Sequence, residues 1–256
     1  MPQPRHDQLE HSDYSGVLQE AEQVIKQCFK QFSLEEVFLS FNGGKDCTVL
    51  LDVTMKVLLE NHRKEDVQNQ FKVVYIRNNQ PFRQIEDFVK EIQAHYGITL
   101  SVAEGELKNT LKNILERDGT LKACLMGTRR TDPYSKDLNF MQKTDSNWPQ
   151  LIRVSPLLNW SYHQIWSYII RQKVPYCSLY DKGYTSIGSS HNTWPNPALA
   201  YKDHSGVISY RPAWQLSDAF LERAGRTKPS SKTTNGHATN GENGHSHSNS
   251  SNGDAL

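Results

Sequence analysis

The chain has 256 residues, of which 36% are hydrophobic and 10% aromatic, and this is enough apolar material for the core of a globular domain. Its formal net charge is only +1, which excludes a general attraction to nucleic acid or to anionic membranes, so an anionic ligand requires a local site. No stretch of the sequence is apolar over the length of a membrane span.

The cysteines and the first residues bear on the cellular compartment. The four cysteines lie far apart without a CxxC pair, which argues against a zinc, iron–sulfur or redox centre. The stretch from Met1 to Ser12 has neither the apolar core of a secretory signal nor the arginines of a mitochondrial transit peptide. We therefore expect a soluble, cytoplasmic protein that binds neither nucleic acid nor membranes.

Composition divides the chain into three parts. We expect residues 1–12 to be a flexible N-terminal tail and residues 13–226 to form one domain. After Thr227 the sequence consists mainly of Ser, Asn, Gly, His, Thr and Lys, and such a segment buries too little surface to offset its ordering entropy. Residues 227–256 are therefore predicted to be disordered, with His245 and His247 solvated rather than bound to a metal.

Helical and strand patterns alternate along the domain. In chain order they predict a helix at Tyr14–Phe29, a strand at Val37–Phe41, a helix at Cys47–Leu59, a strand at Phe71–Ile76, a helix at Pro81–Tyr96, a strand at Ile98–Val102, a helix at Leu107–Glu116, strands at Leu121–Met126 and Leu151–Val154, and helices at Tyr162–Arg171 and Leu216–Ala224. This order is typical of an α/β fold with a mostly parallel, twisted sheet and helices on both faces. The segment from Val174 to Arg211 is predicted to be an irregular C-terminal cap.

The first predicted strand is followed by two glycines, a lysine and a helix. Gly43 and Gly44 allow backbone N–H groups to turn inward beside the positive end of that helix, which favours phosphate binding. A Walker A loop would need glycine at Leu39 and Ser or Thr directly after Lys45, where the chain has Asp46. The loop is therefore a phosphate loop of another kind, and the alternative is a tight turn with a solvated lysine.

A long segment from Gly127 to Gln150 has no strong periodicity. Loops of this length inside a compact domain are usually functional or disordered. Arginines and aromatic residues within it are suited to anions and to planar rings; they are Arg129, Arg130, Tyr134, Phe140 and Trp148. The alternative is a surface loop whose arginines are solvated.

Several motifs together resemble a known family. The stretch from Ser40 to Cys47 resembles the loop of the PP-loop ATP pyrophosphatases. Six further motifs, in the same order as in the family, are similar to eukaryotic FAD synthases, the FMN adenylyltransferases of the PAPS reductase-like group; they are Met126–Tyr134, Thr144–Pro149, Arg153–Leu158, Asp181–Gly188, Tyr210–Trp214 and Glu222–Arg226. The resemblance covers about residues 13–226, and the ordered set is more specific than the loop alone.

This resemblance implies a nucleotidyltransferase that moves AMP from ATP to the phosphate of FMN, giving FAD and pyrophosphate. The reaction would be a Mg2+-assisted in-line attack on the α-phosphate. The second pKa of a phosphate monoester is near ~6, so FMN is already a nucleophile at neutral pH without a protein base. Alignment and charge neutralisation would then carry the chemistry. The implied partners are ATP, FMN, FAD and apo-flavoproteins that receive FAD, and we expect a monomer.

The resemblance also implies an ATP site and catalytic residues. Asn42, Asp46 and Asp132 are expected to act in catalysis, with Asp132 also a candidate for holding Mg2+. The ATP-binding residues are expected to be Ser40, Asn42, Gly43, Gly44, Lys45, Asp46, Ile76, Arg77, Met126 and Gly127. Two alternatives remain open, because Asp46 is also suited to capping its helix and Asp132 to forming a turn before Pro133.

The implied FMN site combines arginines, carboxylates and an indole. Its expected members are Arg129, Arg130, Thr131, Asp132, Asp145, Trp148, Arg153, Arg223 and Arg226. Trp148 can stack on isoalloxazine while Asp145 accepts from the imide N–H. Arg223 and Arg226, three apart on the last predicted helix, would grip the FMN phosphate. The alternatives are ordinary packing for Trp148 and a solvated helix end for the two arginines.

Three other functions are alternatives to this one. A sulfonucleotide reductase shares the fold but needs a nucleophilic cysteine near its C-terminus, and no cysteine follows Cys177. A tRNA-thiolating enzyme would want cysteine pairs and a basic surface. A non-catalytic sensor of ATP or flavin would not need Asn42, Lys45, Asp46 and Asp132 together, and release of pyrophosphate would separate a sensor from an enzyme.

Overall fold

The computed structural model describes residues 12–226. The predicted N-terminal tail, 1–12, lies outside the described residues except for Ser12. The predicted C-terminal tail, 227–256, lies outside them entirely, together with His245 and His247. The division into two tails and one domain therefore stays a prediction.

The described residues form helices and strands in alternation. The helices are α1 (Ser15–Gln31), α2 (Lys45–Asn61), α3 (Lys64–Gln70), α4 (Arg83–Tyr96), α5 (Leu107–Arg117) and α6 (Tyr162–Gln172). The strands are β1 (Val37–Phe41), β2 (Lys72–Arg77), β3 (Leu100–Glu104), β4 (Ala123–Leu125), β5 (Met141–Lys143), β6 (Ile152–Val154), β7 (Ala200–Lys202) and β8 (Ile208–Tyr210).

Strands β1 to β6 form one sheet in the order β3-β2-β1-β4-β6-β5. All neighbours in it are parallel except β5, which runs antiparallel to β6. The chain runs outward from β1 through β2 to β3 and then returns to β4 on the other side of β1. Because the strand order reverses between β1 and β4, their carboxyl ends are where a ligand crevice is expected in such a sheet.

Side chains alternate between the two faces of the sheet. On β1, Val37, Leu39 and Phe41 join the larger core cluster, which also takes the apolar faces of α1, α2, α4 and α6. Phe38 joins a smaller cluster on the other face, where Leu111 of α5 packs. The mostly parallel α/β sheet with helices on both faces is thus confirmed. Strand β1 is buried along its whole length, as is usual for a parallel strand covered on both faces.

Two helix ends carry residues that favour these ends in the sequence itself. Gly97 ends α4 in the left-handed conformation, with φ +63°, which a residue without Cβ adopts readily. Ser161 caps α6, since its side chain accepts a hydrogen bond from the backbone N–H of Gln164.

The predicted last helix, Leu216–Ala224, is not formed. Short 3-10 turns stand in this region, at Ala213–Gln215, Ala219–Leu221 and Ala224–Arg226. The N–H groups of Leu221 and Glu222 donate to the carbonyls three residues earlier, those of Asp218 and Ala219, instead of four residues earlier as in an α-helix. Side chains of the cap hold the end of this segment, where Asn196 donates to the carbonyl oxygen of Leu221 and Thr185 to that of Glu222. Tertiary contacts thus override the local helical pattern.

Further elements were not predicted. They are α3, the edge strand β5 and the β7–β8 hairpin within the cap, and β5 lies inside the segment that showed no periodicity. Within residues 12–226, no helix combines the length and the apolar content that crossing a membrane would require.

Candidate active site

The phosphate loop lies between β1 and α2, at the reversal of strand order. Gly43 has φ +77°, and the Oδ1 atom of Asn42 accepts from the N–H of Gly44 at 2.8 Å. The N–H of Lys45 donates to the hydroxyl oxygen of Tyr180, also at 2.8 Å. The Asn42 side chain therefore shapes the loop in this structure, and Tyr180 holds the first turn of α2.

The loop after β4 packs directly against this helix start. A Cβ atom on Gly127 would lie only 2.9 Å from the backbone nitrogen of Cys47. The absence of a side chain at Gly127 thus lets the two loops approach each other. This contact brings the residues that follow β4 to the side chains at the start of α2.

A charge cluster forms at this junction from Lys45, Asp46, Arg129, Asp132 and Glu222. The Nζ atom of Lys45 lies 2.9 Å from Asp46 Oδ2 and 2.5 Å from Glu222 Oε1. The Nη2 atom of Arg129 donates to both Glu222 oxygens at 2.7 Å. Its Nε atom lies 2.8 Å from Asp46 Oδ1, but off the hydrogen-bonding direction. Two cations are therefore held between carboxylates at the carboxyl ends of β1 and β4.

Both cations of the charge cluster are shielded from solvent. Lys45 is 2% exposed and Arg129 is 1% exposed. The Nη1 atom of Arg129 is buried and has no hydrogen-bond partner among the described residues. Because an unsatisfied buried donor is costly, this nitrogen points to a ligand oxygen that completes its hydrogen bonding.

The carboxylates keep both cations charged. Burial opposes the charge of Lys45, but Asp46 and Glu222 outweigh it and raise its pKa. Burial would likewise raise the pKa of Glu222, but Lys45 and Arg129 outweigh it and lower this pKa to about 2. The Lys45 and Glu222 side chains are therefore ionised at neutral pH.

Asp132 faces the charge cluster and also shapes its own turn. Its Oδ2 atom accepts from the N–H of Arg129 at 2.8 Å, and its own N–H donates to the Arg129 carbonyl at 3.0 Å. Its Oδ1 atom lies 4.0 Å from Arg129 Nη2. Burial and the neighbouring charge of Asp46 raise the pKa of Asp132. The structure thus gives the predicted catalytic aspartate the turn-forming contacts of the alternative interpretation as well.

Arg130 is engaged in holding the loop that follows it. Its Nε atom donates to Asn159 Oδ1 at 2.7 Å, and its Nη1 atom donates to the carbonyls of Lys136 and Leu138 at 2.9 and 2.8 Å. Thr131 is exposed beside it. A direct role of Arg130 and Thr131 in FMN binding stays a prediction.

The predicted flavin residues lie beside the smaller core cluster. Trp148 is half-buried against it, and Arg153 on β6 is in register with Cys124 of β4. Asp145 is exposed, and its carbonyl accepts from the N–H of Trp148. The Nε atom of Arg153 is buried without a hydrogen-bond partner in the described part of the chain, and burial lowers the pKa of this arginine. Arg153 therefore offers a second donor to a ligand.

The two C-terminal arginines stand on a 3-10 turn instead of the predicted helix. The N–H of Arg226 donates to the Arg223 carbonyl at 2.9 Å, and residues three apart also align in such a turn. Arg223 is exposed. The guanidinium group of Arg226 lies over Gly188, where a Cβ atom would approach it to 2.3 Å. The structure thus joins the motifs at 181–188 and 222–226.

The remaining predicted ATP residues line the ends of the central strands. Ser40 on β1, Ile76 on β2 and Met126 after β4 are buried. Arg77 donates to Glu86 at 3.1 Å and to Glu104 at 2.6 Å, so its charge is already balanced by carboxylates. Their contacts with ATP stay predictions.

Glu222, Tyr180 and Tyr162 belong to the site but were not predicted. The ring centroid of Tyr162 lies 5.3 Å from Lys45 Nζ. Glu222 lies within one of the family motifs. It was not predicted as a site residue because a carboxylate is not expected to bind anionic substrates. Its contact with Lys45 spans 177 positions of the chain, so no local pattern announces it.

Comparisons with known proteins agree on one family. The phosphoadenosine phosphosulfate reductase domain matches residues 36–120 and 106–195. The probable FAD synthase of Schizosaccharomyces pombe is 38% identical over 214 residues, which cover 82% of this chain and 79% of that protein. That of Caenorhabditis elegans is 36% identical over 82% of this chain, and the chain spans only 40% of its length.

A solved structure supports the same conclusion. The FMN adenylyltransferase of Candida glabrata, in complex with FMN and the ATP analogue AMPCPP, superposes with a TM-score of 0.77 at 27% identity. The superposition covers 88% of this chain and 94% of that one. The predicted resemblance is confirmed, and the chain belongs to the FAD synthase family of PAPS reductase-like proteins.

Proposed function

We propose that this chain is an FMN adenylyltransferase, which transfers AMP from ATP to the phosphate of FMN and releases pyrophosphate. One observation carries the proposal, namely the two buried cations Lys45 and Arg129 at the reversal of strand order, where Arg129 Nη1 has no hydrogen-bond partner within residues 12–226. A triphosphate supplies the oxygen acceptors that this donor needs. The family supports the same activity.

The bond changes in this reaction are simple. A phosphate oxygen of FMN attacks the α-phosphorus of ATP, and the bond from that phosphorus to the bridging β-oxygen breaks. The electron pair leaves with pyrophosphate, and the product is the diphosphate bridge of FAD. No proton must be removed from the nucleophile, because the FMN phosphate is largely a dianion at neutral pH. The protein therefore needs to align the two substrates and neutralise their charge.

The described residues divide these tasks. Arg129 would meet the triphosphate and the leaving pyrophosphate through its buried Nη1 donor, with Lys45 beside it at the phosphate loop. Asp46 and Glu222 already balance the charges of these two cations, so the two residues act mainly as oriented hydrogen-bond donors. Arg153 and Trp148 would bind the flavin, and Arg226 its phosphate. Mg2+ would supply further charge neutralisation, held by Asp132 together with substrate phosphates, which suits a cation that usually binds few protein carboxylates.

The reductase alternative needs a reactive thiolate. Cys177, the last cysteine of the sequence, is 1% exposed, and burial raises its pKa to about 11. A thiol in that environment is protonated and shielded at neutral pH. This argues for nucleotide transfer over sulfonucleotide reduction. The cytoplasmic location, the monomeric state and delivery of FAD to apo-flavoproteins remain further proposals.

The direct test uses purified protein with ATP, Mg2+ and FMN. We expect FAD, followed by chromatography, and pyrophosphate to appear in equal amounts. An Arg129→Gln variant should lose this activity by roughly a hundredfold or more, since it removes a buried cation that meets the phosphates. Flavin binding without either product would instead favour the sensor, and pyrophosphate without FAD would indicate hydrolysis.

A further inference from the structure

We propose that Glu222 is a positioning residue for the adenylyl transfer. Its carboxylate holds Lys45 and Arg129 in the geometry in which they meet the substrate phosphates, and it joins the C-terminal segment 219–226 to the phosphate loop. This inference rests on the proposed function. It adds a residue that contacts the two phosphate-binding cations, Lys45 and Arg129, but not the substrate itself.

The contacts make Glu222 a bridge between two cations. Both of its oxygens accept from Arg129 Nη2 at 2.7 Å, and Oε1 also lies 2.5 Å from Lys45 Nζ. The Glu222 side chain is only 12% exposed. Two buried like charges repel each other and lose hydration, and a carboxylate between them offsets both costs. Its removal would leave Lys45 and Arg129 free to move apart.

The backbone of Glu222 is fixed by the cap. Thr185 Oγ1 donates to the Glu222 carbonyl at 2.6 Å, and Asn196 Nδ2 donates to the Leu221 carbonyl at 2.7 Å. Asn196 also donates to Thr185 Oγ1 at 2.8 Å and is fully buried. The carboxylate therefore projects from an anchored segment, unlike a surface ion pair that wanders between rotamers.

Glu222 and Asp46 leave one part of Arg129 for a ligand. They lie against Nη2 and Nε, so the planar guanidinium group is oriented from two sides. The Nη1 atom, which is buried and has no hydrogen-bond partner in the part of the chain that the structure describes, is then presented in a fixed direction. A rigid fork of donors loses little entropy when a phosphate oxygen arrives. Glu222 thus acts through Arg129.

The same segment carries Arg223 and Arg226, which are predicted to meet the FMN phosphate. Glu222 is adjacent to Arg223 and lies in the same C-terminal segment as Arg226. Its contacts therefore fix the position of this segment relative to Lys45 and Arg129. One carboxylate would then set the distance between the ATP side and the FMN side of the site. In-line transfer is sensitive to that distance.

The experiment compares the wild type with Glu222→Gln, and uses Glu60→Gln as a matched control. The Glu60 carboxylate pairs with Lys26 at the surface, where the two side chains are 54% and 41% exposed. Each protein is assayed for FAD formation, for binding of inorganic pyrophosphate by calorimetry, and for its melting temperature.

For Glu222→Gln we expect kcat to fall by roughly tenfold to a hundredfold and the Kd of pyrophosphate to rise by about tenfold, because the cations lose their alignment. The control should match the wild type. Glu222→Asp keeps the charge on a shorter side chain and should recover part of kcat. In an Arg129→Gln background, Glu222→Gln should add little further loss.

Two outcomes would overturn the proposal. Tighter binding of pyrophosphate by Glu222→Gln would mean that the carboxylate competes with phosphate for the two cations. A lower melting temperature with unchanged kcat and pyrophosphate Kd would mean that Glu222 is only structural. If the wild type binds pyrophosphate but forms no FAD, the adenylyltransferase function fails, while the comparison of pyrophosphate affinities still judges Glu222.

Discussion

A single carboxylate at Asp132 serves the turn and the charge cluster together. One oxygen accepts from the Arg129 N–H, and the other faces the Arg129 guanidinium group at 4.0 Å. The turn needs only an acceptor, whereas charge neutralisation and Mg2+ binding need a negative charge. An amide side chain therefore separates the two roles.

Asp132→Asn should fold like the wild type and lose FAD formation by about tenfold or more, since it keeps an acceptor for the turn but removes the charge. Asp132→Ala should lose activity and also melt at a lower temperature, because the Arg129 N–H loses its partner. Steady-state kinetics and thermal melts of both variants make the comparison. Full activity in Asp132→Asn would assign this residue to the turn alone.

Gly188 leaves space for the guanidinium group of Arg226. A Cβ atom there would meet the Arg226 guanidinium group at 2.3 Å, and a flexible side chain can yield to it. Gly188→Ala should therefore displace Arg226 and raise the KM for FMN by roughly tenfold with little change in the KM for ATP. Gly16→Ala is the control, because a Cβ atom there would meet no atom of the described residues within 4 Å. A change confined to ATP would contradict the assignment of Arg226 to the FMN phosphate.

Arg130 connects several parts of the loop after β4 by hydrogen bonds. Its guanidinium group donates to the carbonyls of Lys136 and Leu138 and to the side-chain oxygen of Asn159. The Cζ atom of Arg130 also lies 6.0 Å from the ring centroid of Phe140, the residue that precedes β5. These contacts hold the segment between the charge cluster and the predicted flavin residues.

Arg130→Met keeps much of the side-chain length but removes all of these donors. We expect the free energy of unfolding to fall by about 1–3 kcal/mol, because the loop carbonyls lose charge-assisted hydrogen bonds. The KM for FMN should change less than in an Arg153→Met variant, if Arg153 contacts the flavin directly. Urea unfolding and FMN titrations of the two variants test this, and the reverse order of KM values would give Arg130 the direct contact.

The ion pairs of Glu222 with Lys45 and Arg129 connect the C-terminal segment to the centre of the sheet. Their contribution to the stability of the whole chain depends on pH. The pKa of Glu222 is about 2 in the folded chain, against an ordinary value of 4.5. Between these values the unfolded chain takes up a proton that the folded chain does not. The stability that Glu222 contributes is therefore complete above pH 4.5 and is lost as the pH falls toward 2.

Glu222→Gln removes this proton uptake. Its free energy of unfolding should be lower than that of the wild type at pH 6 but should fall less steeply between pH 4.5 and 2. Urea unfolding at several pH values measures both slopes, and Glu60→Gln again serves as the control. Equal slopes in the wild type and Glu222→Gln would show that the Lys45 and Arg129 charges do not hold this carboxylate ionised.

The central architecture and the location of the phosphate loop follow from local patterns in the amino-acid sequence. The apolar run of β1, the glycines before Lys45 and the stop at Gly97 are local signals, because each depends on neighbours within a few residues. The motifs also indicated the family. They did not indicate which atoms would meet.

The assembly of the site depends on contacts between segments that are far apart in the chain. The partners of the Lys45 side chain and backbone, Glu222 and Tyr180, lie 177 and 135 positions away. The edge strand β5 is defined by pairing with β6, and the segment of the last predicted helix is held in 3-10 turns, with hydrogen bonds from Thr185 and Asn196 of the cap to its end. Such contacts leave no periodic pattern in the sequence, since their free energy arises between segments that only folding brings together.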